Sequence, residues 1–370
     1  MKKTLAAVAV LGAFAGSALA ADVQLYGRVD EGFAYNHVDL DNGTDATDSF
    51  GLKSGMQSGS RFGIKGTEDL GNGLTVGFIL ENGFAADTGA DNAPFFDRES
   101  SLFLQGSFGK LAVGRIGSIN NGTSSWALVG MATAFGTSSW GGYSAQIGST
   151  ASTAGMWDNM IAYQTPDFAG FKVYAQYAMG SNDNENESSS DRYYALGATY
   201  SNGPLNLYVA VDSINYQTSG TGTFDADADD SLTVTLAANY DFEVAKVYFG
   251  AQYFDEVDSF GDLVTAVDFD TKIKGYGLNL SADFPVMGGK VMAGLGYVDA
   301  EAADSVKDDF KNGEFQRYVV SVGYDYPFSK RTDVYAVASY MQDSVDYGTA
   351  NKPDVDPNAF VVSVGLRHLF

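Results

Sequence analysis

The segment Ala359–Phe370, AFVVSVGLRHLF, places Phe360, Val362, Val364, Leu366, His368 and Phe370 on one face of an extended chain. Val361, Ser363, Gly365, Arg367 and Leu369 fall on the other. A period of two residues marks a β-strand, and the contents of the two faces say what each one meets. One face is apolar and tipped with aromatic rings; the other is small, polar or charged. Arg317–Tyr326 repeats the division, with Tyr318, Val320, Val322, Tyr324 and Tyr326 opposed to Arg317, Val319, Ser321, Gly323 and Asp325. A soluble sandwich alternates as well, but its water-facing positions seldom hold so much glycine. These strands predict hydrocarbon on the apolar side and water on the other, as in a transmembrane barrel with a polar interior.

The same beat runs back through the chain. Val23–Asp30 alternates strictly, with Val23, Leu25, Gly27 and Val29 against Gln24, Tyr26, Arg28 and Asp30. Glu31 then falls on the apolar face before Phe33 and Tyr35 resume it. A carboxylate facing lipid is costly, so Glu31 faces a neighbouring subunit or the register slips there. Further strands are expected at Ser60–Thr67, Leu74–Phe84, Phe96–Gly106, Leu111–Arg115, Asp158–Thr165, Phe171–Met179, Arg192–Ser201 and Leu205–Tyr216. Ser231–Tyr240, Val244–Phe254, Lys272–Phe284, Lys290–Asp299, Glu314–Tyr326, Thr332–Gln342 and Ala359–Phe370 bring the total to 16. Turns such as Glu68–Gly73, Phe108–Lys110 and Asn202–Pro204 are short and rich in Gly, Asn or Pro. They alternate with longer acidic connections, Asp39–Ser49 and Gly180–Ser190 among them. The expected fold is all-β, a 16-stranded antiparallel transmembrane β-barrel, and closure removes the unpaired edges that a bilayer would not tolerate.

One connection breaks the rule. Ile116–Trp157, IGSINNGTSSWALVGMATAFGTSSWGGYSAQIGSTASTAGMW, runs 42 residues without Asp, Glu, Lys, Arg or His. Its middle, Trp126–Phe135, is apolar. Long structureless loops in such chains are usually functional, and one this apolar is expected to fold into the lumen as a constriction loop.

The N-terminal segment Met1–Ala20 has two lysines, an apolar run from Leu5 to Phe14 and Ala18-Leu19-Ala20. That order is a cleaved signal peptide; the run is shorter than the roughly 20 residues of a membrane anchor. Residues 21–370 then form a single barrel domain. With no cysteine, disulfides contribute nothing. A formal charge of −24 argues against nucleic acid, which needs a basic footprint. The 25 Phe and 22 Tyr suit aromatic girdles at the membrane interfaces.

Several of these stretches carry a resemblance: Leu25-Tyr26-Gly27-Arg28-Val29-Asp30, Ser60-Arg61-Phe62-Gly63-Ile64-Lys65-Gly66-Thr67-Glu68-Asp69-Leu70-Gly71 and Leu111–Arg115. Asn159–Tyr163, Pro166-Asp167-Phe168-Ala169-Gly170-Phe171 and the terminal Phe370 continue it. The whole chain resembles the trimeric general porins of Gram-negative bacteria, in their β-proteobacterial branch. The resemblance implies an outer-membrane homotrimer among lipids and lipopolysaccharide, with the third loop in the lumen. It also implies Phe370 as a signal to the barrel-assembly machinery. Family members set arginines and lysines of one wall against acids of the third loop; the matching wall positions are Arg28, Arg61 and Arg98, with Lys65 following Arg61. A fourth wall position holds Met156, and the loop's acids are missing. Fixed positive charge against a neutral loop predicts weak anion preference at moderate salt, shifting towards cations at low salt where acidic outer loops are felt.

Other readings are available for the same residues. Trp126, Phe135, Trp140 and Tyr143 could form a stacking track in a channel specific for a sugar or another organic solute. The acidic loops could make a surface adhesin. Arg115 follows the outward phase of Leu111 and Val113, so it could pair with an acid at a subunit contact, Glu31 or a residue of the Ala85–Pro94 loop. Asp39–Gly43 and Asp225–Asp230 lack the EF-hand order, so no metal is expected. No catalytic motif accompanies the two histidines, His37 and His368. The expected function is a passive diffusion channel, not an enzyme, and without a cofactor.

Overall fold

Each alternating strand carries a row of backbone donors and acceptors on both edges, and in hydrocarbon only neighbouring strands satisfy them. The computed structural model describes residues 22–121, 124–136, 155–180, 190–216, 229–257, 272–305, 312–348 and 353–370. In it the chain pairs with itself as one closed antiparallel sheet. The strands are β1 (Asp22–Asp39), β2 (Thr47–Ser54), β3 (Arg61–Gly71), β4 (Leu74–Gly83), β5 (Glu99–Gly106) and β6 (Gly109–Gly117). After the third loop come β7 (Met156–Gln164), β8 (Phe171–Ala178), β9 (Arg192–Asn202), β10 (Leu205–Asn215), β11 (Leu232–Asp241) and β12 (Lys246–Val257). The last are β13 (Ile273–Val286), β14 (Gly289–Ala302), β15 (Glu314–Pro327), β16 (Thr332–Asp346) and β17 (Asn358–Leu369).

These seventeen strands make sixteen staves. β2 pairs with Glu31–Val38 of β1 and β3 pairs with Asp22–Arg28 of the same strand, so the two are halves of one stave, interrupted at Gly55–Ser60. The acidic loop expected at Asp39–Ser49 is correspondingly shorter, because Thr47, Asp48 and Ser49 already belong to β2. There Phe50 stacks on Phe33 of β1 at 5.7 Å, on the exposed apolar face.

The barrel closes between β17 and β1, from Arg28 opposite Leu369 to Asp39 opposite Asn358. Beyond the last ladder pair, the amides of Gly27 and Phe370 each donate to the other's carbonyl at 3.1 Å. The Phe370 ring lies where a side chain on residue 27 would go, for a Cβ there would stand 2.4 Å from its Cζ. Glycine is what lets the seam close under an aromatic ring.

Exposure follows the alternation. Leu366 is 51% exposed while Val361 and Ser363 are at 0–1%. β1 keeps its phase through Glu31, which faces Leu366 on one side and Ser54 on the other. Against β17 the register does not slip, so Glu31 shares the apolar face.

Candidate functional site

The site grows out of strand register. Arg28 on β1 stands opposite Arg61 on β3, two like charges side by side. Arg61 in turn faces Gly83 on β4, while two residues along, Gly63 faces Glu81 and Glu81 faces Glu99 on β5. A row of arginines therefore lies beside a row of carboxylates on the same face. Glu81 accepts from Nε of Arg98 at 2.8 Å and from Nη1 of Arg61 at 3.4 Å. Arg98, one residue ahead of β5, keeps its Nη2 unpartnered and buried among the described residues. The Arg28 side chain makes no hydrogen bond or ion pair among the described residues. Lys65 stands apart, exposed and 5.1 Å over the Tyr26 ring.

Arg28, Arg61 and Arg98 lie close together, and a carboxylate that the sequence reading did not single out, Glu81, sits among them. It is the lone charged residue of Leu74–Gly83, in phase with Gly83 opposite Arg61; that parity was the sequence signal for it.

The described part of the third loop is fastened to the small-and-polar face along its length. Ser125 donates to Glu99 from its amide at 3.0 Å and its hydroxyl at 2.8 Å. Asn120 donates to Asp212 of β10 at 3.0 Å and accepts from Tyr208 at 2.7 Å. Gln176 of β8 donates to the Gly117 carbonyl at 3.1 Å, and Asn239 of β11 to the Met131 carbonyl at 3.2 Å. Farther round, the Ala134 amide donates to Ser281 of β13 at 2.9 Å. Ile119 fits the gap over Gly197 of β9, where a Cβ would lie 2.4 Å from its Cδ1. The loop is neutral, but its donors are received by the wall carboxylates Glu99 and Asp212.

Of the four aromatic residues considered for a stacking track, Trp126 and Phe135 are 3% and 2% exposed. Trp126 packs in the cluster of Ala112, Ile116 and Tyr193, with Nζ of Lys110 5.0 Å from its ring. Phe135 belongs to a second cluster with Met56, Tyr248, Met292 and Tyr335. Neither offers a free face. Trp140 and Tyr143 lie outside the described residues, as do Met1–Ala20 of the expected signal peptide.

Arg115 is paired within the wall itself. A register shift between Gly114 and Ile116 interrupts the ladder of β6 with β7, and Nη1 of Arg115 meets Asp158 while Nε donates to the Asp97 carbonyl at 2.9 Å. Its partner is neither Glu31 nor the Ala85–Pro94 loop. His37 pairs with Asp48 at 2.9 Å and His368 with the Thr332 hydroxyl at 2.9 Å. Among the described residues no group of three or more His, Cys, Asp or Glu is placed to hold a metal ion.

A family model described as Gram-negative porin matches residues 6–346. The chain belongs to the Gram-negative porin family. Over the full length of both chains this porin is similar to an outer membrane porin protein of Bordetella pertussis (33% identical) and to outer membrane porin protein 32 of Delftia acidovorans (31% identical). Its fold is similar to that of an anion-selective porin from Comamonas acidovorans, with a TM-score of 0.67 and 26% identity, covering 95% of this chain and 100% of that one. The closed barrel and the family together make it an outer-membrane transport protein, and family and fold point to a channel rather than an enzyme.

Proposed function

We propose that this porin passes ions and small hydrophilic solutes by passive diffusion, with a weak preference for anions. The observation that carries the preference is the gathering of Arg28, Arg61 and Arg98 around the single carboxylate Glu81. Clusters of arginine favour anions in a narrow passage. Glu99 and Asp30 are nearby, but both are buried and engaged by hydrogen bonds to the third loop and to a turn of the wall. The anion-selective porin among its structural relatives fits the same reading. In this reading the third loop narrows the lumen; what supports it is that the fastenings of its described residues go to the face opposite the lipid-facing one.

Three further assignments belong to the proposal. Met1–Ala20 is removed on export, Phe370 is the assembly signal, and the channel works as a homotrimer in contact with outer-membrane lipids and lipopolysaccharide. A solute-specific channel is the weaker reading, since Trp126 and Phe135 are used in packing. Single-channel recording across a KCl gradient tests the proposal. Step-wise openings with a reversal potential on the chloride side support it. A cation preference at high salt overturns the arginine assignment, and absence of conductance overturns the channel.

A further inference from the structure

Between β2 and β3 the chain leaves the wall. On β1 only Val29 and Asp30 separate the residues paired with Ser54 and Arg61, whereas Gly55–Ser60 spans the same gap on the other stave. Four surplus residues must go somewhere, and they turn away from the lipid: Met56, Gln57, Ser58 and Ser60 are all buried. Gly55 takes a φ of +72°, a conformation that costs glycine little.

Asp30 holds this turn from below. It is 0% exposed. Its Oδ2 accepts the amides of Gln57 and Ser58 at 2.9 and 2.7 Å, and its Oδ1 accepts the Tyr335 hydroxyl of β16 at 2.6 Å. Its backbone amide donates to the Ser60 hydroxyl at 3.0 Å, and its carbonyl accepts the Gly55 amide at 2.8 Å. One carboxylate thus closes the turn on itself and ties it to a strand on the other side of the seam.

The turn has two working sides. On one, the Gly59 carbonyl accepts Nε of Arg61 at 2.9 Å, and Nη1 of Arg98 lies 3.2 Å from where a Cβ on Gly59 would be. On the other, Met56 sits over Gly32 and joins the buried cluster that holds Phe135 of the third loop. The arginine cluster and the apolar middle of the loop therefore rest on the same six residues.

We infer that the Gly55–Ser60 turn is a second element of the constriction, and that Asp30 is the positioning residue that sets its width and its charge together. The inference rests on the reading of the third loop as the constriction. Asp30→Ala frees both sides of the turn, so conductance rises and the reversal potential moves away from chloride. Met56→Ala loosens only the loop side, so conductance rises while the reversal potential holds. A merely structural Asp30 would not divide the two readouts this way. A structural check uses the absence of native cysteine. Met56→Cys resists a charged, membrane-impermeant thiol reagent in the folded protein and loses that protection when Asp30→Ala is added.

If Asp30→Ala does not reach the folded barrel, Asp30→Asn, which keeps the shape and one acceptor, replaces it with the same expected directions. Protection lost with both current readouts unchanged overturns the inference, as does protection kept in the double variant. Shortening the third loop within 130–136 separates the two readings. If that variant raises conductance and the Asp30 variants do not, the second element fails alone. If neither does, the constriction reading fails with it.

Discussion

Glu81 serves two guanidinium groups with one oxygen, Oε1, which both Arg61 and Arg98 approach. Arg28, opposite Arg61, adds a third like charge, and like charges at a few ångströms repel by roughly 4 kcal/mol at an effective dielectric of 20. The carboxylate makes the cluster tolerable and also limits its pull on anions. Glu81→Gln should therefore shift the reversal potential in a KCl gradient further towards chloride, and Arg98→Ala should shift it back. The same Glu81→Gln change weakens charge-assisted hydrogen bonds worth about 1.5–3 kcal/mol each, visible as easier unfolding in denaturant. At the seam, Gly27→Leu would drive a side chain into the Phe370 ring and the Arg61 carbonyl. Overpacking of this kind costs about 1–3 kcal/mol. The expected outcome is a lower melting temperature of the folded barrel, followed by heat-dependent gel mobility.

The third loop is held by pieces far apart in the chain: Asn120 with Asp212, Met131 with Asn239, Ala134 with Ser281. Ile119, buried to 1% in the gap over Gly197, is its apolar anchor. Removing such a side chain from a packed site costs about 2–5 kcal/mol. Ile119→Ala should leave the barrel folded but the loop less firmly seated, seen as flickering of the open-channel current. A steady current in that variant would count against the anchor. None of these fastenings is legible from the sequence, because no local pattern links residues 92 to 147 positions apart. The strands are legible for the opposite reason: the period of two is written into every few residues of β15 and β17. Where the period breaks, reading fails. The Gly114/Ile116 shift turned Arg115 towards Asp158, and the surplus residues after Ser54 broke the beat that would have marked β2, whose first three residues fell in the expected loop. Arg28, Arg61 and Arg98 are marked in the sequence by resemblance, whereas Glu81 is marked by the phase of its strand alone.

Taken whole, the molecule carries the opposite sign to its arginine cluster. The chain carries 46 acidic against 22 basic residues, and clusters such as Asp39, Asp41, Asp45 and Asp48 lie at or near its connections. Their reach is set by salt, about 8 Å at physiological strength and roughly 30 Å at 0.01 M. Chloride preference measured near 1 M KCl should thus decline as the salt is lowered and pass towards potassium in dilute solution. A preference that stays constant over that range would mean the acidic connections contribute nothing to permeation. The ring itself has a consequence in time rather than in charge. β1 gains its second neighbour only from β17, the last strand in sequence. Until that strand arrives, two long edges stay unpaired, and an open edge invites another chain. Assembly is therefore a race that the first strand cannot finish without the last, and a chain cut short before Asn358 would wait in the periplasm as a template for aggregation rather than as a smaller pore.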